Sequence, residues 1–364
     1  MYIVRRIRRG IDDDSSGHWH HHIGALIGLF VLELAIVALV PGFSVPKQPL
    51  EKAKQPPKEV EAKPSRPRKE VSFKVKGTSL SAWLYLPENL SSPVPCIIMG
   101  HGLGGTKAMG LESYALCFQE AGLAVLALDY RHLGESEGEP RQLIWIPYQL
   151  EDYAGAINYA RSLKEIDPAR MALWGTSLSG GHVIVIAARD NKIACVSAQV
   201  PLLDGRVSAL MAQKYRKVSI GHGLRIIMHG QRDLVRSWFG LSPHKIPIVG
   251  KPGTMAVLAF SEAYEAFEKL TPHDFINQAC ARILIRMDKY RPVKKAQNVR
   301  CPVLLQVCDQ DIGTPTSLVE KVEKKLGNLA EVIRYPIDHF DIYLGDNFEK
   351  AVSDQVDFFK KHLL

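Results

Sequence analysis

From residue 71 onward the apolar positions follow two periods. Val71, Phe73 and Val75 alternate with polar residues, and after Gly77 the run Leu80–Leu86 is apolar on both faces, which predicts a β-hairpin. Beyond it the apolar residues gather into short unbroken runs: Val94–Met99, Leu123–Leu128, Met171–Trp174, Ile193–Ala198, Val303–Val307 and Val332–Tyr335. Unbroken apolar strands are buried on both faces, as in a parallel sheet. Amphipathic stretches lie between them: Leu111–Ala121 ending at Gly122, Leu150–Leu163, and Phe348–His362 at the end of the chain. Strands alternating with helices predict an α/β class protein with a mostly parallel central sheet, helices on both faces and right-handed crossovers.

One interval breaks this rhythm. Between the strand ending near Gln199 and the one beginning near Val303 lie roughly a hundred residues, where a crossover needs only a dozen or more. The excess, about 203–299, reads as an inserted helical cap, with helices expected over Phe260–Leu270 and Pro272–Arg286.

The first seventy residues have a different texture. Residues 1–22 are polar and basic, and the "HWHHH" run within them (His18, His20–His22) reads as a solvated polar run more than a metal site. Ile23–Phe43 is apolar except for Glu33 and has about the length of one bilayer-spanning helix. It predicts a membrane anchor, with a cytoplasmic protein as the alternative. Arginines before the run balance lysines after it, so its orientation stays open. Residues 44–70, rich in Pro, Lys and Glu, predict a disordered linker, and the folded domain is expected over 71–364.

Charge then narrows the partners. The net charge is +8, of which residues 1–70 hold half, with 12 Lys/Arg against 8 Asp/Glu. No basic run with interleaved aromatics follows, so a nucleic-acid footprint is not expected. The six cysteines form no C-x-x-C pair and read as buried free thiols. Oligomeric state is not legible in the sequence.

The chemistry centres on "ALWGTSLSGGH", residues 172–182, which half-matches a G-x-S-x-G nucleophile elbow around two serines. In such an elbow the nucleophile sits two residues past the glycine that ends the strand, on the turn before a helix. Gly175 therefore selects Ser177, and Ser179 becomes a small residue inside the first helical turn. A serine also needs a base, a group that orients the base, and donors for the oxyanion. The Gly-rich loop "GHGLGGTK" after the strand Val94–Met99 can offer a backbone N–H, so Leu103 and Leu178 are the candidate oxyanion donors. Asp309 and Asp311 both follow a late strand, and His339 follows the last one.

In this order, the elbow, the Gly-rich loop, the late aspartates and the late histidine make the chain resemble an α/β-hydrolase over residues 71–364. "GLAVLALDYRHLGESEGEPRQ", "WGTSLSGGHV" and "IPIVGKPGTMA" are similar to segments of the X-prolyl-peptidase-like and dienelactone-hydrolase-like group. The resemblance implies a Ser177–His339–Asp311 triad, with Asp311 favoured over Asp309 because hydrolases often carry G-x-x-D there. It implies cleavage of a small-molecule acyl ester or thioester through an acyl-enzyme, with no metal or organic cofactor. The alternatives are a peptidase or amidase, for which Glu262 and Glu265 are weak amine-recognition candidates, an acyltransferase, and a non-catalytic binding protein. The geometric expectation is that Ser177 Oγ lies within hydrogen-bond reach of His339, and His339 closer to Asp311 than to Asp309.

Overall fold

The turn Lys76–Gly77 joins β1 (Arg68–Val75) to β2 (Thr78–Tyr85) in antiparallel register, with Val75 opposite Thr78. Both turn residues have positive φ, 49° and 89°, the twist that suits a two-residue hairpin. The computed structural model describes residues 28, 32, 35, 36, 39, 45–50, 68–88, 92–215 and 219–364.

The chain continues through β3 (Val94–Gly100), α1 (Leu111–Glu120), β4 (Ala124–Leu128), α2 (Ile146–Arg161), β5 (Ile166–Thr176), α3 (Leu178–Ala187) and β6 (Ile193–Gln199). After an insertion come β9 (Val303–Cys308), α7 (Thr316–Leu326), β10 (Ala330–Tyr335) and α8 (Gly345–Leu363). The strands form an eight-stranded sheet in the order β1-β2-β4-β3-β5-β6-β9-β10. β2 pairs antiparallel with β1 and β4, and the remaining neighbours are parallel.

The strand period sorts the core into two layers. Along β4, Ala124, Leu126 and Leu128 join the layer under α2 and α3, with Tyr153 and Val183. Val125 and Ala127 join the opposite layer with Phe118 of α1 and Phe359 of α8. A strand buried on both faces leaves no polar position, which is why these runs are unbroken in the sequence.

The insertion between β6 and β9 holds α4 (Gly205–Tyr215), α5 (Ile220–Trp238), α6 (Ser261–Leu270) and a small antiparallel pair, β7 (Lys245–Ile246) with β8 (Ala279–Cys280). The helix expected over Pro272–Arg286 is replaced by β8 and a short 3₁₀ turn at Ala281–Ile285. The Asn277 side chain explains the change. It accepts from Val249 N and donates to Val249 O and Gln48 O, holding an extended segment in place of a helical turn.

The linker expected over 44–70 is partly ordered. Val45–Leu50 lies extended against the insertion: Tyr264 Oη donates to Pro49 O at 2.9 Å, and Leu50 packs on the main core. Two prolines in this stretch stiffen it, so less entropy is lost on docking. Residues 51–67 lie outside the described residues. The apolar run 23–43 also lies almost wholly outside them; Gly28, Leu32, Ala35, Ile36 and Leu39 are described, all helical and exposed. Among the described residues no helix is long and apolar enough to cross a membrane.

The loop after β3 is pinned to the loop after β4 by a buried ion pair. Lys107 Nζ donates to Asp129 Oδ2 at 2.7 Å, Lys107 N donates to Asp129 Oδ1 at 2.7 Å, and both side chains are 1% exposed. Lys107 Nζ also pairs with Glu135 and donates to Ser81 Oγ at 3.1 Å, so losing Asp129 costs less than a fully stranded buried charge would, about 3–5 kcal/mol. Asp129→Asn should therefore lower the unfolding free energy extracted from urea titration by up to about 3 kcal/mol. The double variant Lys107→Met/Asp129→Asn should recover most of the loss.

Candidate active site

At the end of β5 the chain turns sharply into α3, and Ser177 occupies the turn with φ 54° and ψ −115°. A non-glycine residue there is strained by about 1–3 kcal/mol and persists only when its surroundings hold it. The last turn of β6 does so: Ser177 N donates to Gln199 O at 2.9 Å, and Leu202 N donates to Ser177 O at 2.8 Å. Crowding dictates the neighbours. A Cβ on Gly175 would lie 2.2 Å from Ser179 O, and one on Gly181 would lie 2.4 Å from Leu202 O.

Ser179 is fully buried and does not face the cavity that Ser177 lines. Its hydroxyl donates to His101 O, and Tyr130 Oη lies 2.6 Å from Ser179 Oγ. Because the serine has one proton and gives it to the carbonyl, Tyr130 must be the donor in the second bond. The chain Tyr130–Ser179–His101 thus fixes the start of the Gly-rich loop against the elbow helix. Gly100 leaves the necessary room, since a Cβ there would meet Tyr130 Oη at 2.4 Å. The same loop is met from the insertion side, where Ile248 packs on Gly104 so closely that a Cβ would lie 2.8 Å from it.

His339 follows β10, and its Nδ1 lies 2.7 Å from Asp311 Oδ2. The other carboxylate oxygen of Asp311 accepts from Gly313 N at 2.6 Å. Asp309 points elsewhere, accepting from Arg334 Nη1 at 3.0 Å on the exposed side. Burial alone would lower the His339 pKa, but the Asp311 charge and hydrogen bond, with Asp338 behind them, carry it above its ordinary value. Burial would likewise raise Asp311, and the His339 contact with the Gly313 hydrogen bond outweighs it, so the carboxyl titrates below its ordinary value. Each member favours the charged form of the other.

Ser177, Asp311 and His339 line one cavity of about 310 Å³, together with Leu103 and Leu178. The expected hydrogen bond between Ser177 Oγ and His339 is not formed in this arrangement; Nδ1 is held by Asp311, leaving Nε2 for proton transfer. Such contacts often tighten only when substrate is bound. The insertion contributes the apolar wall, including Ala212, Ile226, Leu258 and Phe260. Of the amine-recognition candidates, Glu262 lines the cavity and accepts from Tyr215 Oη at 3.1 Å, while Glu265 does not reach it.

His182 uses both ring nitrogens inside the fold, on Tyr290 Oη at 2.7 Å and Gln149 Oε1 at 3.0 Å, and burial pushes its pKa down to about 3. Tyr130 and Tyr153, which the sequence reading did not single out, are the polar supports beneath the elbow. Tyr153 Oη reaches the carbonyls of Ile98 and Trp174, each at 2.7 Å. The "LDYRH" segment was the available signal, since Asp129, Tyr130 and Arg131 all turn inward from it, Arg131 onto buried Asp152. Among the described residues no group of three or more His, Cys, Asp or Glu is placed to hold a metal ion.

A family model described as acetyl xylan esterase (AXE1) matches residues 68–220. The chain is 38% identical over 294 residues to the quorum-quenching protein AidA of Acinetobacter baumannii, covering 80% of this chain and 94% of that one. It is 28% identical over 307 residues to the thiohydrolase aneE of Aspergillus aculeatus, covering 79% and 92%. Among solved structures, the crystal structure of the α/β hydrolase GrgF from Penicillium superposes with a TM-score of 0.69 at 25% identity, covering 82% and 99%.

The charge balance at His339 has a readable consequence. A base at this position must be neutral to accept a proton, so the acid limb of kcat/KM should lie above pH 6.5, the ordinary histidine value. Asp311→Asn removes the charge that raises the pKa and leaves burial in control. The limb should then move to lower pH while kcat falls by about 10³–10⁴, measured as a pH–rate profile on a p-nitrophenyl ester.

Proposed function

The chain belongs to the α/β-hydrolase family that includes the quorum-quenching protein AidA, and from that membership we propose that it cleaves carboxylic esters or thioesters through an acyl-enzyme on Ser177. His339 is the base in this reading and Asp311 the group that orients it. The observation that carries it is a serine on a strained strand-to-helix turn, facing the same cavity as a histidine already held by a buried carboxylate.

The steps follow from these positions. His339 Nε2 takes the Ser177 proton as Oγ attacks the acyl carbon, and the imidazolium that forms is held by Asp311 through Nδ1. The oxyanion develops beside Leu103 and Leu178, whose backbone N–H groups are the donors in this proposal. The leaving alcohol or thiol collects the proton from His339. Water, activated by the same nitrogen, then releases the acid. The apolar wall of the cavity suits an acyl group with substantial hydrocarbon. A thioester is included because a relative named a thiohydrolase aligns along most of this chain. A serine, not a cysteine, stands at the elbow, which favours esterase chemistry over that of a cysteine-dependent dienelactone hydrolase.

The domain plan proposed with this activity is a catalytic body over 68–364, begun three residues before the expected 71 because β1 starts at Arg68, an insertion over about 203–299 that walls the cavity, and the apolar run 23–43 as a membrane anchor. The support for the anchor is its length and composition.

A fluorophosphonate probe should label the wild-type protein on one serine, identified by peptide mass. Ser177→Ala should abolish labelling and p-nitrophenyl ester hydrolysis while Ser179→Gly retains labelling. Undiminished labelling of Ser177→Ala would overturn the assignment.

A further inference from the structure

Helix α5 is amphipathic in an inverted sense. His229, Gly230 and Asp233 face the body of the insertion, and Asp233 is tied to Arg282 by two side-chain bonds. The opposite face carries Ile220, Leu224, Ile227 and Met228, spaced i, i+4, i+7 and i+8, and the helix ends at Trp238. Ile220 is 86% exposed, Leu224 56% and Trp238 61%. Apolar side chains at this spacing normally turn towards a core. A contiguous apolar surface of this kind marks a contact site.

Two further observations say what covers it. The first is charge. Between residues 205 and 238 the sequence holds seven Lys/Arg and one Asp/Glu, the single acid being Asp233, which is committed to Arg282. Arg225, Arg232 and Arg236 lie along one flank of the apolar stripe. An apolar stripe edged by arginines is the composition of a helix that lies in a lipid headgroup layer. The second is the path of the chain. The apolar run Ile23–Phe43 ends two residues before Val45, and Val45 packs on the Ile246–Met255–Ala281 cluster beside Ile226 of α5. The most apolar stretch of the sequence therefore joins the folded body at the inner side of α5, the helix that carries the exposed apolar face.

We propose that the outer face of α5, Ile220, Leu224, Ile227, Met228 and Trp238 with its arginine flank, docks on an anionic lipid surface. The inference concerns binding and stands independently of the esterase reading. It has one consequence for the cavity: Ile226 of α5 and Tyr215 at the end of α4 line it, so its insertion-side wall lies at the lipid surface.

The test uses the full chain and vesicles of phosphatidylcholine with or without phosphatidylserine, their acyl chains brominated to quench nearby indoles. In a Trp19→Phe background, which removes the indole beside the apolar run, fluorescence should be quenched by the anionic vesicles, and the quenched component should vanish in Trp238→Phe. Leu224→Ser/Ile227→Ser should weaken that quenching by about tenfold or more, with p-nitrophenyl ester hydrolysis in solution unchanged, since neither side chain lines the cavity. Raising the salt should weaken it as well. Three results would each overturn the proposal. One is absence of vesicle-dependent quenching of Trp238, even where the chain sediments with vesicles through its N-terminal run. Another is protection of Trp238 from aqueous acrylamide without vesicles, which would mean that the N-terminal run itself covers the face. The third is a doubled mass by light scattering that Leu224→Ser/Ile227→Ser returns to the single-chain value, which would make a second copy the occupant.

Discussion

Ser177 can hold a left-handed backbone only because its N–H and C=O are both taken by the end of β6, at Gln199 and Leu202. Strain of about 1–3 kcal/mol is set against these bonds and the packed helix behind them. The rest of the site follows from that turn. Gly175 and Gly181 are required by the closeness of Ser179 and Leu202, and Ser179 gains a buried role because its hydroxyl lies where the loop after β3 passes. The position of the serine and the position of the Gly-rich loop are therefore set by one connected group of contacts.

The inner strands of the sheet were legible because they are buried on both faces and are almost wholly apolar. β4 is the plainest case: five consecutive apolar residues, each in contact with one of two helix layers. Ser177, Asp311 and His339 were legible for a different reason, their order along the chain and their place at strand ends. The choice between the two aspartates is decided by geometry, since Asp309 turns to Arg334 and Asp311 to His339.

The insertion was harder to read, because its elements are set by contacts distant in sequence. Asn277 forces an extended segment where composition suggested a helix, and its partners, Val249 and Gln48, lie 28 and 229 residues away. The ordering of Val45–Leu50 depends on the same remote surface. Tyr130 and Tyr153 were missed because an apolar run with tyrosine reads as ordinary core; only their hydroxyl partners distinguish them.

The contact between Gly104 and Ile248 has a consequence for how such a protein can diverge. The bonds that hold Ser177 come from the sheet and its first following turn, so sequence change inside the insertion reshapes the acyl wall without touching the nucleophile. Ile248 and Tyr290 are exceptions, because Ile248 presses on the loop that carries Leu103 and Tyr290 holds His182 of the nucleophile helix. At such residues a change in side-chain bulk would alter substrate preference and turnover together.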